Sequence, residues 1–154
     1  MFRRKSPWII AICSIATAGF LYLNQCFFFT PLSHRRYAAA HLPWTWYKNP
    51  LQVEYGVLAA DGWKFTKVTD KAEIKMVFAE LSRAAQQTVK PPAVSAESGR
   101  QVWFGVRRLS DGAILLSAEG VESEPYFEIK GLAAVYLTPE LQALLASRLQ
   151  QAQE

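Results

Sequence analysis

Histidine and cysteine are scarce in this 154-residue chain, and their placement matters more than their number. Cys13 and Cys26 lie in an apolar run near the N-terminus, His34 and His41 follow it, and residues 50–154 contain neither type. That region therefore has no disulfide, thiol nucleophile or imidazole base, and no thiolate or imidazole ligand for zinc or haem. GxGxxG, GxxxxGK[ST] and DxDxDG patterns are missing as well, which removes the usual phosphate cradles and the calcium loop. Acidic residues are absent from positions 1–49, which carry six basic ones: Arg3, Arg4, Lys5, Arg35, Arg36 and Lys48. Residues 50–154 carry eleven basic and thirteen acidic side chains, a net of −2, so the formal charge of +4 belongs to the N-terminal third. Nucleic acid, which needs phosphate-neutralising cations on the folded part, is not an expected partner. With 51% hydrophobic and 19% charged residues, wholesale disorder is excluded.

The most pronounced feature present is an uncharged stretch of 22 residues, Trp8 to Phe29. As a helix rising about 1.5 Å per residue it would span roughly 33 Å, the thickness of a bilayer's hydrocarbon core. Arg3, Arg4 and Lys5 precede it, while His34, Arg35 and Arg36 follow, a bias that puts the N-terminus inside and the rest outside the cytoplasmic membrane. A cleaved signal is disfavoured because the only small-residue site, Ala38-Ala39-Ala40, lies beyond Arg35 and Arg36. A lipoprotein signal is disfavoured because Gln25 precedes Cys26 and three phenylalanines follow it. The expectation is a retained anchor over 8–29, after a basic cytoplasmic start (1–7) and before a juxtamembrane aromatic and proline-containing segment (30–50). Trp8, Trp44, Trp46 and Tyr47 are the residue types that settle at a membrane–water boundary, so they are the expected interfacial residues. For Trp44, Trp46 and Tyr47 the competing expectation is that their rings cap one end of the following domain's core.

Residues 51–154 read as one α+β domain. Val53, Tyr55 and Val57 alternate with polar residues in a first strand, Asp61-Gly62 turns it, and Trp63–Val68 returns. Asp70 followed by Glu73 forms a capping-box pattern, and Ile74, Val77, Phe78, Leu81 and Ala85 make an apolar stripe on a helix running to about Thr88. Residues 89–99 read as a loop. Strands follow at 101–109, 113–117, 126–130 and 132–137, with Asp111-Gly112 in the first turn and Gly131 in the last. Thr138-Pro139 opens a final helix striped by Leu141, Leu144, Leu145 and Leu149. The predicted order is ββ-α-ββββ-α: one curved antiparallel sheet with both helices on one face.

The starts Thr69-Asp70 with Ile74, the central Asp111-Gly112 hairpin, and the closing Tyr136, Thr138 and Leu141 carry a resemblance. In these, and in element order, the chain resembles small uncharacterised membrane-anchored or lipoprotein domains of Gram-positive bacteria, with a topology similar to TATA-box-binding-protein-like folds. The resemblance covers roughly residues 52–150. It implies a fold and an envelope location, and brings no catalytic residues.

If Val102, Phe104, Val106, Phe127 and Ile129 face the helices, then Trp103, Arg107, Tyr126, Glu128 and, in the last strand, Tyr136 fall on the opposite face, a platform of the kind that anchors interfaces. The competing expectation is ordinary cross-strand pairs over a solvated sheet. Glu119, Glu122, Glu124 and Glu128 match no cation loop, and Asp61, Asp70 and Asp111 are explained as turn or cap residues. No enzyme activity, metal or cofactor is expected. The expected function is a non-catalytic module docking an envelope protein or peptide through the sheet face or an edge strand. The alternative is an accessory subunit touching a membrane complex through the anchor helix, where Ala11, Ala16, Ala18 and Gly19 supply small residues. An unconventional Ser- and carboxylate-based hydrolase is the third reading.

Overall fold

The computed structural model describes residues 7–85, 99–130 and 134–152 of the chain. It is an α+β fold. A helix α1 (Pro7–Cys26) is followed by a short α2 (Pro31–His34) and a single 3-10 turn at Trp44–Trp46. The strands are β1 (Leu51–Ala59), β2 (Gly62–Val68), β3 (Gln101–Arg108), β4 (Ile114–Val121), β5 (Tyr126–Ile129) and β6 (Ala134–Tyr136). Helix α3 (Lys71–Ala84) lies between β2 and β3, and α4 (Pro139–Gln151) closes the described chain. All pairings are antiparallel, in the order β2-β1-β3-β4-β5-β6. The helix end expected at Thr88, residues 89–98 of the expected loop, and the turn at Gly131 lie outside the described residues.

The alternation of each strand explains which face is covered. Cross-strand partners share a face, so Val53, Tyr55 and Val57 of β1 stand beside Val106, Phe104 and Val102 of β3, all buried. Phe104 and Val106 continue into Ala118 and Leu116 of β4, and Phe127 of β5 pairs with Val135 of β6. Helix α3 buries Ile74, Val77, Phe78, Leu81 and Ala84 against this face, and α4 buries Leu141, Leu145 and Leu149. Both Asp-Gly turns are used as expected, with Gly62 at φ 121° and Gly112 at φ 71°, values an L side chain adopts only at a cost.

Polar ties hold the helices to the sheet. Asp70 caps α3 by accepting from the Glu73 N–H at 2.8 Å, but Glu73 does not complete the capping box. Its carboxylate accepts instead from the Tyr55 hydroxyl at 2.9 Å and from Arg148 of α4. A charged donor and a phenol together outbid one backbone N–H that water can satisfy. The Tyr55 hydroxyl is driven well above its ordinary pKa, first by burial and then by the Glu73 charge. Glu80, also buried, accepts from Thr138 at 2.8 Å, tying the middle of α3 to the N-cap of α4.

The N-terminal third departs from expectation. Helix α1 stops at Cys26, and the following phenylalanines belong to the folded domain: Phe28 and Phe29 are buried. Phe29 packs with ring centroids 5.1 Å from Phe78, 5.2 Å from Tyr47 and 5.0 Å from Tyr37. Ala39 donates to Ser82 of α3 at 3.2 Å, so the segment after α2 also lies on that helix. Residues 27–50 therefore contribute to the core, with Phe28, Phe29, Ala39, Ala40 and Tyr47 buried. Tyr47, expected at a membrane surface, is 0% exposed. Its ring fills the apolar gap above Phe78, and burial pushes its hydroxyl up to about 12. The competing reading, rings capping one end of the core, is the one realised for Tyr47. Trp44 is half-buried with its ring 4.7 Å from Phe27, while Trp46 and Trp8 are exposed.

Removing residues 27–50 should therefore unmake the domain. A fragment starting at Phe27 is expected to unfold cooperatively in urea, followed by circular dichroism, whereas one starting at Leu51 should lose the cooperative transition. In the longer fragment Phe29→Ala should cost about 3–5 kcal/mol, as for other large-to-small changes at filled aromatic sites.

Candidate functional site

The face of the sheet turned away from α3 and α4 is built from the alternate residues. Gly56 of β1 pairs with Trp103 and with Phe65, Glu54 pairs with Gly105 and Lys67, and Leu58 pairs with Trp63. Trp103 pairs with Glu119, Glu119 with Glu128, and Tyr126 with Tyr136. All five residues expected on this face are there. Trp103, Arg107 and Tyr126 are half-buried, Glu128 and Tyr136 exposed.

Two residues that the sequence reading left unassigned join them. Trp63 and Phe65 of edge strand β2 are 43% and 46% exposed, stacked with centroids 6.0 Å apart, and Phe65 meets Trp103 edge-on at 5.9 Å. The Phe65 and Trp103 rings approach the sheet closely because a glycine stands beneath each. A methyl group at Gly56 would come within 2.6 Å of the Phe65 ring, and one at Gly105 within 2.4 Å of Trp103. The signal in the sequence was the pairing of outward-facing glycines with outward-facing aromatics, legible only once β1 is placed between β2 and β3.

Beyond this trio the Tyr126 and Tyr136 rings meet edge-on at 6.3 Å. Loss of solvent, and then the nearby Glu124, push the Tyr126 hydroxyl above its ordinary pKa. Between trio and tyrosine pair lies a groove of about 240 Å³, lined by Trp63, Gln101, Glu119, Glu124, Tyr126 and Glu128 among others. Its rings and three carboxylates suit an apolar ligand carrying positive charge. Trp103, Arg107 and Tyr136 do not line it. Arg107 sits at the other end of β3, where it donates to Glu54 at 3.2 Å and to the Gly112 carbonyl at 2.8 Å. Glu54 and Gln52 are both buried on this face, and Arg107, Gln52 at 2.8 Å and Lys67 at 3.8 Å surround the Glu54 carboxylate. That arginine thus ties β3 to β1 and to the β3–β4 turn. No group of three or more His, Cys, Asp or Glu side chains among the described residues is arranged to hold a metal ion.

No known protein family, curated protein or solved structure matches the chain.

Two outcomes are expected at this face. Gly105→Ala should force the Trp103 ring off the strand and cost about 1–3 kcal/mol, with much of that cost absent when Trp103→Ala is already present, as measured by a double-mutant cycle in urea. The second concerns the β3–β4 turn beside Arg107. Hydrogen bonds from Arg108, then from the Ala113 N–H, hold the Asp111 carboxyl down at about 2. Since an unfolded-chain Asp titrates near ~3.9, the ionised form favours the folded turn above that pH and this contribution is lost as pH falls toward 2. Asp111→Asn should flatten the fall in melting temperature between about pH 4 and pH 2.

Proposed function

We propose that this chain is a single-pass, membrane-anchored binding module whose domain lies outside the cytoplasmic membrane and docks an envelope protein or peptide on its helix-free sheet face. The observation that carries the reading is the aromatic floor of Trp63, Phe65 and Trp103 beside the groove of Glu119, Tyr126 and Glu128. Large rings kept partly exposed over strand glycines give contact area at little entropic cost. Strand β2, at the edge of the sheet, offers backbone groups for an added strand next to the same rings. The anchor rests on α1, in which Trp8–Cys26 is long and apolar enough to cross a membrane and no residue of that span is buried against the domain. The charge bias around the apolar run supports the outward orientation, and the resemblance to anchored Gram-positive domains agrees with it. No catalytic role is assigned to any residue.

A second reading makes α1 itself the contact, as in an accessory subunit of a membrane complex. It draws on the shallow face that Ser14, Thr17 and Ala18 form between Ile10 and Leu21, where small side chains let another helix approach.

One experiment separates the two. In full-length protein with Cys13→Ser and Cys26→Ser, Glu128→Cys is labelled on intact cells with a membrane-impermeant maleimide benzophenone. Labelling and photo-crosslinking to one envelope component that survives exchange of α1 for an unrelated membrane helix, and fails with Trp63→Ala, is the expected result. Labelling only after cells are opened overturns the orientation. A crosslink that vanishes when α1 is exchanged transfers the function to the helix.

A further inference from the structure

Helix α1 does not enter the domain through a linker. Asn49 closes its C-terminus, donating its backbone N–H to Cys26 O at 3.0 Å and its side-chain amide to Gln25 O at 3.0 Å and Asn24 O at 3.3 Å. Phe27 and Lys48 form an antiparallel bridge, and the Phe28 N–H donates to Tyr47 O at 2.7 Å. One step further, the Leu109 N–H donates to Pro50 O at 3.1 Å. Arg108 donates to Trp46 O at 2.9 Å, with its guanidinium 5.9 Å over the Trp46 ring. The segment 44–50 and the β3–β4 turn thus form a collar around the exit of α1. On it Trp46 is 48% and Leu109 42% exposed.

The collar's distance from the helix end determines what surrounds it. A 20-residue helix is about 30 Å long, the thickness of the hydrocarbon core, and the headgroup layer adds roughly 5–7 Å on each side. Groups joined to the last turn by one or two hydrogen bonds fall within or next to that layer when α1 spans. Their chemistry fits: Trp46, Trp44 and Lys48 are interfacial types, and Leu109 offers an apolar tip. Asp111, the carboxylate of the turn, is neutralised by Arg108, which lowers the cost of bringing it to the lipid surface.

We propose that the β3–β4 turn, with Trp44 to Lys48, is a second membrane contact seated in the headgroup layer of a phospholipid bilayer. It rests on the membrane-spanning reading of α1 given above. Two attachments on one face of the domain fix its tilt, where one helix alone would leave it free to lean. The groove is then held away from the lipid. Gln101 and Trp63 border it at the opposite end of the strands, and Gln101 is seven residues along β3 from Arg108, about 24 Å.

The test uses the full-length chain with Cys13→Ser and Cys26→Ser in phosphatidylcholine–phosphatidylglycerol vesicles, carrying one spin label at Ile15→Cys, Leu109→Cys or Asp61→Cys. Collision with lipid-soluble oxygen and with an aqueous nickel chelate reports depth. The label at 15 should be deep and the one at 61, in the opposite turn, aqueous. The label at 109 should meet nickel several-fold less often than that at 61, and oxygen more often. Equal nickel access at 109 and 61, with 15 still deep, overturns this contact but leaves the anchor standing. A label at 109 shielded from both reagents also overturns it, because a protein surface then covers the collar. Aqueous behaviour at 15 overturns both the contact and the anchor on which it rests.

Discussion

The packing of Phe29 and Tyr47 onto Phe78 is the interaction on which the rest of this structure depends. These three rings, with Tyr37, form a cluster of edge-on and tilted contacts against the middle of α3. Each buried ring contributes about 2–3 kcal/mol of apolar burial, and together they carry segment 27–50 into the core. The same segment supplies Asn49, which satisfies carbonyls that the end of any helix leaves without partners. The core and helix α1 are consequently coupled. The chain cannot release α1 as a flexible tether without withdrawing aromatic side chains from the domain it supports.

With the core assigned to one face, the other is free to carry rings that would otherwise be buried. What keeps them in order is the absence of side chains under them. Gly56 of β1 and Gly105 of β3 have no Cβ, so the Phe65 ring fits over the first and the Trp103 ring over the second. The charges on this face divide in two. Around Glu54 they are mutually satisfied and hold β1, β2 and β3 together. Around the groove, Glu119 and Glu128 stand opposite each other across β4 and β5. Like charges facing across a ladder work against stability, a cost that a cationic partner would relieve. This asymmetry distinguishes the groove from the rest of the surface.

The helix side shows the converse use of polar groups. Glu73 and Glu80 of α3 each reach out of their own helix, to Arg148 and Tyr55 in one case and to Thr138 in the other. A carboxylate in such a position has its oxygens held by donors from distant parts of the chain. Glu73, half-buried, and Glu80, buried, tie α3 to α4 and β1.

Local pattern alone was enough for much of this. An uncharged run declares an apolar helix, two-residue alternation declares strands, the spacing of Ile74, Val77, Phe78 and Leu81 declares an amphipathic helix, and Asp-Gly and Thr-Pro mark turns and a cap. Each signal is complete within a few residues, because backbone geometry repeats over that distance. The division of the strands into two faces followed from the same period, which is why Trp103, Tyr126, Glu128 and Tyr136 were legible as outward. Other features were decided only by contacts between residues far apart in the chain. The placing of β1 between β2 and β3 put Trp63 and Phe65 beside Trp103. The competition for Glu73 was settled by Arg148, 75 residues away. Tyr47 has the composition of a membrane-surface residue, and the cavity beside Phe78 made it a core residue. An aromatic ring is equally suited to lipid interface and protein interior, so composition leaves its place open and the space available in the fold decides it.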